Sequence, residues 1–135
     1  MTYKIEQIEG IGPVYGAKLK SAGVNTVEDL LEKCASKSGR AAMAEETGID
    51  EKKILTWTNH ADLFRIDGIG PQFSELLEAA GVDTVKELRN RNAENLHAKI
   101  KEINDAKKLV GRLPSLSQIE EMITTAGKLE PKITY

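Results

Sequence analysis

The sequence predicts an all-α protein made of two related helical units, and three observations carry that reading. A segment recurs. Ile8-Glu9-Gly10-Ile11-Gly12-Pro13 returns as Ile66-Asp67-Gly68-Ile69-Gly70-Pro71, and Ala22-Gly23-Val24-Asn25-Thr26-Val27 returns as Ala80-Gly81-Val82-Asp83-Thr84-Val85. Between residues 8 and 30, 12 of 23 positions are identical at an offset of 58, far above what unrelated segments share. No stretch alternates apolar and polar residues as a half-buried strand does. Finally, 40% of the 135 residues are apolar but only 4% are aromatic, so the core must be built from Leu, Ile, Val and Ala.

The elements follow in order from local signals. Pro13 and Pro71 occupy first helical positions, where the missing N–H is no loss. Gly23 and Gly81 end those helices as the residues just past the cap. Thr26 and Thr84 cap the next helices, Thr26-Val27-Glu28-Asp29-Leu30 and Thr84-Val85-Lys86-Glu87-Leu88. Asp50 to Ala61 reads as a helix that Asp50 caps, with Ile54 and Trp57 on its buried side. From 93 to 110, Ala93, Leu96, Ile100, Ile103, Ala106 and Val110 recur at spacings of three and four, an amphipathic helix that Pro114 stops. Ser115 or Ser117 restarts the last helix. Ser115 to Ala126 matches 50–61 at an offset of 65, with Ile119 and Met122 in the places of Ile54 and Trp57, and Pro131 ends it. The units are therefore expected at 1–62 and 63–135. No Gly/Ser-rich or Pro-rich linker separates them, which predicts one compact body.

Composition excludes several classes. No apolar run approaches the ~20 residues that a membrane span needs, so no membrane partner is expected. The start, Met1-Thr2-Tyr3-Lys4-Ile5-Glu6, has no apolar core of a signal peptide. Cys34 is the only cysteine, so no internal disulfide forms, and a cytoplasmic location is expected. The net charge is −2, unlike that of a strongly basic nucleic-acid binder. Charge is nonetheless uneven: −4 over residues 58–85 and +4 over 86–112.

The repeated turn has a physical logic. Gly10 can adopt a positive φ, Ile11 plugs the core, and Gly12 lets another backbone or a ligand approach. The amides around Gly12 then face outward at a helix N-terminus, where the dipole favours an anion such as a DNA phosphate. Such a contact is to main chain and carries no sequence information.

Both repeats resemble the helix-hairpin-helix motif: a hydrophobic residue, Gly-Ile-Gly, then a small residue and an aliphatic one, here Gly16 and Leu19, and Ser74 and Leu77. The whole chain, including Asn90-Arg91-Asn92 and Ile133-Thr134-Tyr135, is similar to a bacterial family of unknown function with paired helix-hairpin-helix elements. Some members are labelled flap-endonuclease-like 5′ nucleases after the helix-three-turn-helix element of those enzymes. The resemblance implies sequence-independent DNA binding through Gly10, Ile11 and Gly12, and through Gly68, Ile69 and Gly70, and the residues offer no convergent catalytic constellation, so the expected binding is non-catalytic. The resemblance also implies a monovalent cation, Na⁺ or K⁺, on turn carbonyls near Gly10, Gly12, Gly68 and Gly70. DNA-binding hairpins of this kind add Lys or Arg after the second Gly, whereas this chain has Val14 and Gln72. The first repeat keeps Lys18 and Lys20. The second has Leu76 and Glu78 there, and adds Glu75, so the first turn is the expected DNA grip. A protein-interaction or scaffold module using the same fold is the alternative, with an unidentified protein as partner. A flap-type nuclease is the third reading.

Smaller constellations add little. His97, Lys101, Asn104 and Lys108 form one polar stripe on the predicted 93–110 helix, a secondary DNA candidate at Lys101 and Lys108 and otherwise a solvated face. Glu45, Glu46, Asp50 and Glu51 are the densest acids and read as surface charge and capping. His60 and His97 lack metal-ligand spacing with Cys34, so no side-chain metal site is expected. Trp57 and Phe64 read as core, and Tyr15 and Phe73 as packing just after the turns.

Overall fold

A computed structural model describes residues 3–135; Met1 and Thr2, part of the N-terminal stretch read above, lie outside the described residues. The chain is all-helical. A short 3₁₀ turn, Ile5–Gln7, precedes α1 (Pro13–Ser21), α2 (Val27–Cys34), α3 (Lys37–Thr47), α4 (Glu51–Leu63), α5 (Pro71–Ala79), α6 (Val85–Arg89), α7 (Ala93–Lys107) and α8 (Leu116–Lys128). The only extended pairing among the described residues is an isolated antiparallel bridge between Lys4 and Thr26.

Contacts divide the chain into two units. One holds residues up to Asp62 together with Lys132–Tyr135, and the other holds Leu63–Pro131. The sequence reading placed the tail with the second unit. The tail belongs to the first because Thr134 N donates to Ala35 O at 2.8 Å and Arg40 Nη2 donates to Thr134 O at 2.6 Å.

In the first unit, the 3₁₀ turn packs on α1, and α2 packs on α3. The start of the chain is pinned by Ile5 N to Asn25 O and Val27 N to Tyr3 O, each at 3.0 Å. Ile5, Ile8, Leu19, Val24, Leu30 and Ile54 are buried to 1% exposure or less. In the second unit, α8 packs on α6 and α7, and α7 packs on α5. Its core joins Ile66, Ile69, Leu76, Leu77, Leu88, Leu96, Ile100 and Ile119, with Met122 at its edge.

Helix ends follow local chemistry. Thr26 Oγ1 accepts from Asp29 N at 3.1 Å while Asp29 Oδ2 accepts from Thr26 N at 3.2 Å, a reciprocal capping box. Thr84 accepts from Glu87 N at 3.2 Å. At the other ends of α1 and α5, Val24 N returns to Leu19 O and Gly23 N to Lys20 O, and Val82 N to Leu77 O and Gly81 N to Glu78 O, with Gly23 and Gly81 at φ +87° and +90°. That is the double hydrogen-bond pattern that ends a helix on a left-handed glycine.

One helix differs from expectation. The predicted 93–110 helix stops at Lys107, and Lys108 caps it at φ 51°, ψ 47°. The Asn104 side chain accepts from Val110 N at 3.0 Å and donates to Val110 O at 3.1 Å. A side chain that supplies both bonds for the returning backbone outcompetes another helical turn. Lys108 therefore leaves the polar stripe, and Asn104 is turned to the main chain. Only His97 and Lys101 remain on that face as read.

Candidate functional site

The two Gly-Ile-Gly-Pro turns adopt the same backbone. Gly10 and Gly68 both sit at φ +92°, a region L-residues with a Cβ resist. Ile11 and Ile69 are buried to 5% and 1% exposure, and each amide closes the turn on Ile8 O or Ile66 O at 3.1 and 3.2 Å. These isoleucines, read as part of the phosphate site, thus spend both side chain and amide inside the fold. The outward donors lie one step later. Gly12 and Gly70 are the N-caps of α1 and α5 in extended backbone, and neither cap offers a side-chain acceptor. Pro13 and Pro71 have no N–H, so the amides of Gly12, Val14 and Tyr15, and of Gly70, Gln72 and Phe73, are left without internal acceptors.

The contrast with the other helices is sharp. Thr26, Ser36, Thr84, Asn92 and Ser115 each cap their own helix. Asp50 Oδ1 accepts from Lys52 N at the start of α4. Among the α-helices of the described residues, only the two that follow the repeated turn lack such a cap.

The turns differ in what surrounds them. At the first, Gly12, Pro13 and Val14 are all exposed, Val14 at 69%. No atom lies within 4 Å of the point a Cβ on Gly12 would occupy, and its φ of −88° suits any residue. Nothing inside the fold requires glycine there. Lys18 lies one turn beyond Val14 on the same exposed face, and helical side chains lean towards the N-terminus. Lys20 is engaged elsewhere: it forms an ion pair with Glu6, whose carboxyl is held below its ordinary value chiefly by that bond. Of the two lysines expected at this site, one is available and one is tied.

At the second turn, Gly70 and Pro71 are half-buried. Leu76, the counterpart of Lys18, is fully buried because α7 covers α5, whereas α1 keeps that face open. Two open hollows of 270 and 340 Å³ share Gly68, Gln118 and Met122, with Arg65 beside one and Arg112 beside the other. Carboxylates accompany both turns, with Glu9 next to Gly10 and Asp67 next to Gly68, all exposed.

The remaining candidates are placed as follows. Lys101 is exposed on α7 and Lys108 beyond its end, both in the second unit. Tyr15 packs its ring against Trp57 at 5.2 Å, tilted 58°, and Phe73 is buried in the second core. Cys34 is buried, and that burial pushes its thiol up to about 11, so it is no nucleophile at neutral pH. Among the described residues, no three His, Cys, Asp or Glu side chains converge where a metal ion could sit. No helix is long and apolar enough to cross a membrane. Sequence reasoning missed Arg40, a buried cation whose three hydrogen bonds go to Cys34, Ala35 and Thr134 carbonyls. Its partners are fixed only by folding, so no local signal marks it.

No curated protein and no solved structure matches the chain. Residues 9–129, which include both turns and all eight α-helices, match a family described as a domain of unknown function, DUF4332, and the chain belongs to that family.

Proposed function

We propose that both Gly-Ile-Gly turns are helix-hairpin-helix elements and that the first binds the DNA backbone without sequence preference. One observation carries this reading: α1 begins with exposed, uncapped amides behind a glycine that packs against nothing. A capping side chain at Gly12 would satisfy those amides at no steric expense, so their openness favours an external acceptor. A phosphate accepts from Val14 and Tyr15 N–H groups, and Lys18 adds a cation from the same face. Glu9 opposes a phosphate electrostatically. The main-chain carbonyls of the turn are neutral oxygen donors of the kind that Na⁺ or K⁺ takes. Such an ion would offset Glu9. The second turn, half-covered and without a lysine at the Lys18 position, contributes less.

The exposed Val14 side chain favours the second reading, a protein-docking tip. Salt separates the two, because phosphate contacts weaken steeply with ionic strength and an apolar contact does not. The test is fluorescence anisotropy of labelled duplex, single-stranded and flapped DNA at ~50 mM and ~200 mM salt. Lys18→Glu and Gly12→Glu are run alongside after circular dichroism shows that they fold. Binding that falls with salt and is lost in both variants supports the proposal. No binding at the lower salt, or binding indifferent to both variants, overturns it.

A further inference from the structure

Outside the turns, a set of specific contacts gathers at Arg40. This residue is only 3% exposed, in α3 of the first unit. Its Nη1 donates to Cys34 O at 3.1 Å and to Ala35 O at 2.9 Å, the carbonyls that close α2. Its Nη2 donates to Thr134 O at 2.6 Å, across 94 residues of sequence. Thr134 N in turn donates to Ala35 O at 2.8 Å. Ile133 is buried to 9% exposure, and the Tyr135 ring centroid stands 5.7 Å from the guanidinium carbon. No carboxylate pairs with Arg40 among the described residues; main-chain oxygens hold its charge, two of them at the negative end of α2.

These contacts all lie within the first unit, yet the chain reaches Lys132 only after the whole of Leu63–Pro131. A buried guanidinium that loses an acceptor is left undersatisfied, and that penalty is larger than the value of an ordinary hydrogen bond. Seating four residues therefore decides whether the first unit is complete.

We propose that Lys132–Tyr135 is a latch seated on Arg40. With the tail seated, the first unit is finished. With the tail released, the end of α2 and the start of α3 loosen, while the second unit keeps its own core. Two consequences follow. The first unit, which carries the Gly10–Gly12 turn, reaches full stability only once residue 134 has been made. Anything that clips or pulls the tail is felt in that unit.

The test uses the 135-residue chain, a truncation after Pro131, and Thr134→Pro, which removes the N–H donated to Ala35 while keeping the tail. Trp57, the sole tryptophan, reports unfolding of the first unit. Hydrogen exchange reads both units. In the full chain the Thr134 amide is expected to exchange at least ~10-fold more slowly than in an unstructured peptide. Truncation is expected to lower the Trp57 midpoint by about 5 °C and to speed exchange over residues 34–42, with 116–128 unchanged. Thr134→Pro shifts both readouts in the same direction by less. Three outcomes overturn the latch: a Thr134 amide at the unstructured rate, a truncated chain with an unchanged midpoint, or equal loss of protection in α8.

Discussion

Trp57 stands beneath Gly10: its indole Nε1 lies 3.4 Å from the point a Cβ on Gly10 would occupy. Met122 Cε bears the same relation to Gly68, at 3.2 Å. Each left-handed glycine thus rests on the closing helix of its own unit, α4 or α8. Trp57 and Met122 are also the residues that an offset of 65 aligns in sequence. These contacts brace the base of each turn, so the following helix starts in a fixed direction, its first amides facing outward.

Gly10→Ala and Gly68→Ala should each destabilise their unit by about 1–2 kcal/mol, mainly through the positive φ. The neighbours are secondary. A contact at 3.4 Å is ordinary, and the Met122 methyl at 3.2 Å is the end of a flexible chain. Urea titration followed by Trp57 fluorescence checks the first variant, and circular dichroism the second. A loss under about 0.3 kcal/mol at both would mean that the turns relax to another backbone.

Lys108→Gly should stabilise the second unit by about 0.5–1 kcal/mol. Lys108 is the one non-glycine residue at positive φ among those described, and glycine carries no Cβ to clash there. Asn104→Leu should do the reverse, because it strips Val110 N and O of their partner at once. Thermal unfolding of the two variants, measured together, gives opposite shifts if Asn104 is what ends α7.

How far the sequence disclosed these features depends on how local their chemistry is. Caps at Thr26, Thr84 and Ser115 are legible because donor and acceptor lie within three residues. The turn glycines are legible because a repeated Gly-Ile-Gly has few backbone solutions. The end of α7 was not, since its apolar spacing runs on through Val110 while a side-chain contact six residues long decides the matter. Lys20 was read as a phosphate ligand because charge alone is visible in sequence; its partner Glu6 is brought near only when the 3₁₀ turn packs on α1. Arg40 is the extreme case, with an acceptor 94 residues away.

Acid should weaken the first unit through Asp29 and Glu6. The Asn25 and Thr26 amides donate to the Asp29 carboxylate and hold its pKa below 3.8, its ordinary value, and Lys20 holds Glu6 below 4.5. Groups whose folded pKa is depressed add stability that is present above the unfolded value and is lost as pH falls through the folded one. The loss therefore belongs below about pH 4, not in the neutral range. Glu6 is exposed and Asp29 half-buried, so the effect is small and screened by salt. Carboxyl titration by NMR checks the direction, and Asp29→Asn should flatten the acid limb of the Trp57 unfolding profile.

Cys34 should be silent to thiol reagents in the folded chain at pH 7–8. Its thiol is buried and pushed up to about 11, so thiolate is scarce and access is blocked. Labelling by a chromogenic disulfide should then proceed only through opening of the first unit, and its rate should rise with urea in step with the Trp57 signal. Rapid labelling under native conditions would mean that α2 frays independently.

Gly12→Ser separates stability from function most cleanly. Gly12 has the extended backbone of an N-cap, φ −88° and ψ −173°, close to the φ −71° and ψ 164° of Ser115, which caps α8. With nothing within 4 Å of its Cβ position, a serine fits, and its Oγ can accept from the Tyr15 amide as Ser115 Oγ accepts from Gln118 N. The cap should add about 0.5–1 kcal/mol to the first unit. The same hydroxyl occupies the donor proposed for phosphate, so DNA affinity should fall while the midpoint rises. A natural glycine at this cap then reflects use of the amides rather than stability. Gly70→Ser makes the comparison at the half-covered second turn, where little change in binding is expected. If Gly12→Ser stabilises the chain and DNA binding is undiminished, the α1 amides are not the grip.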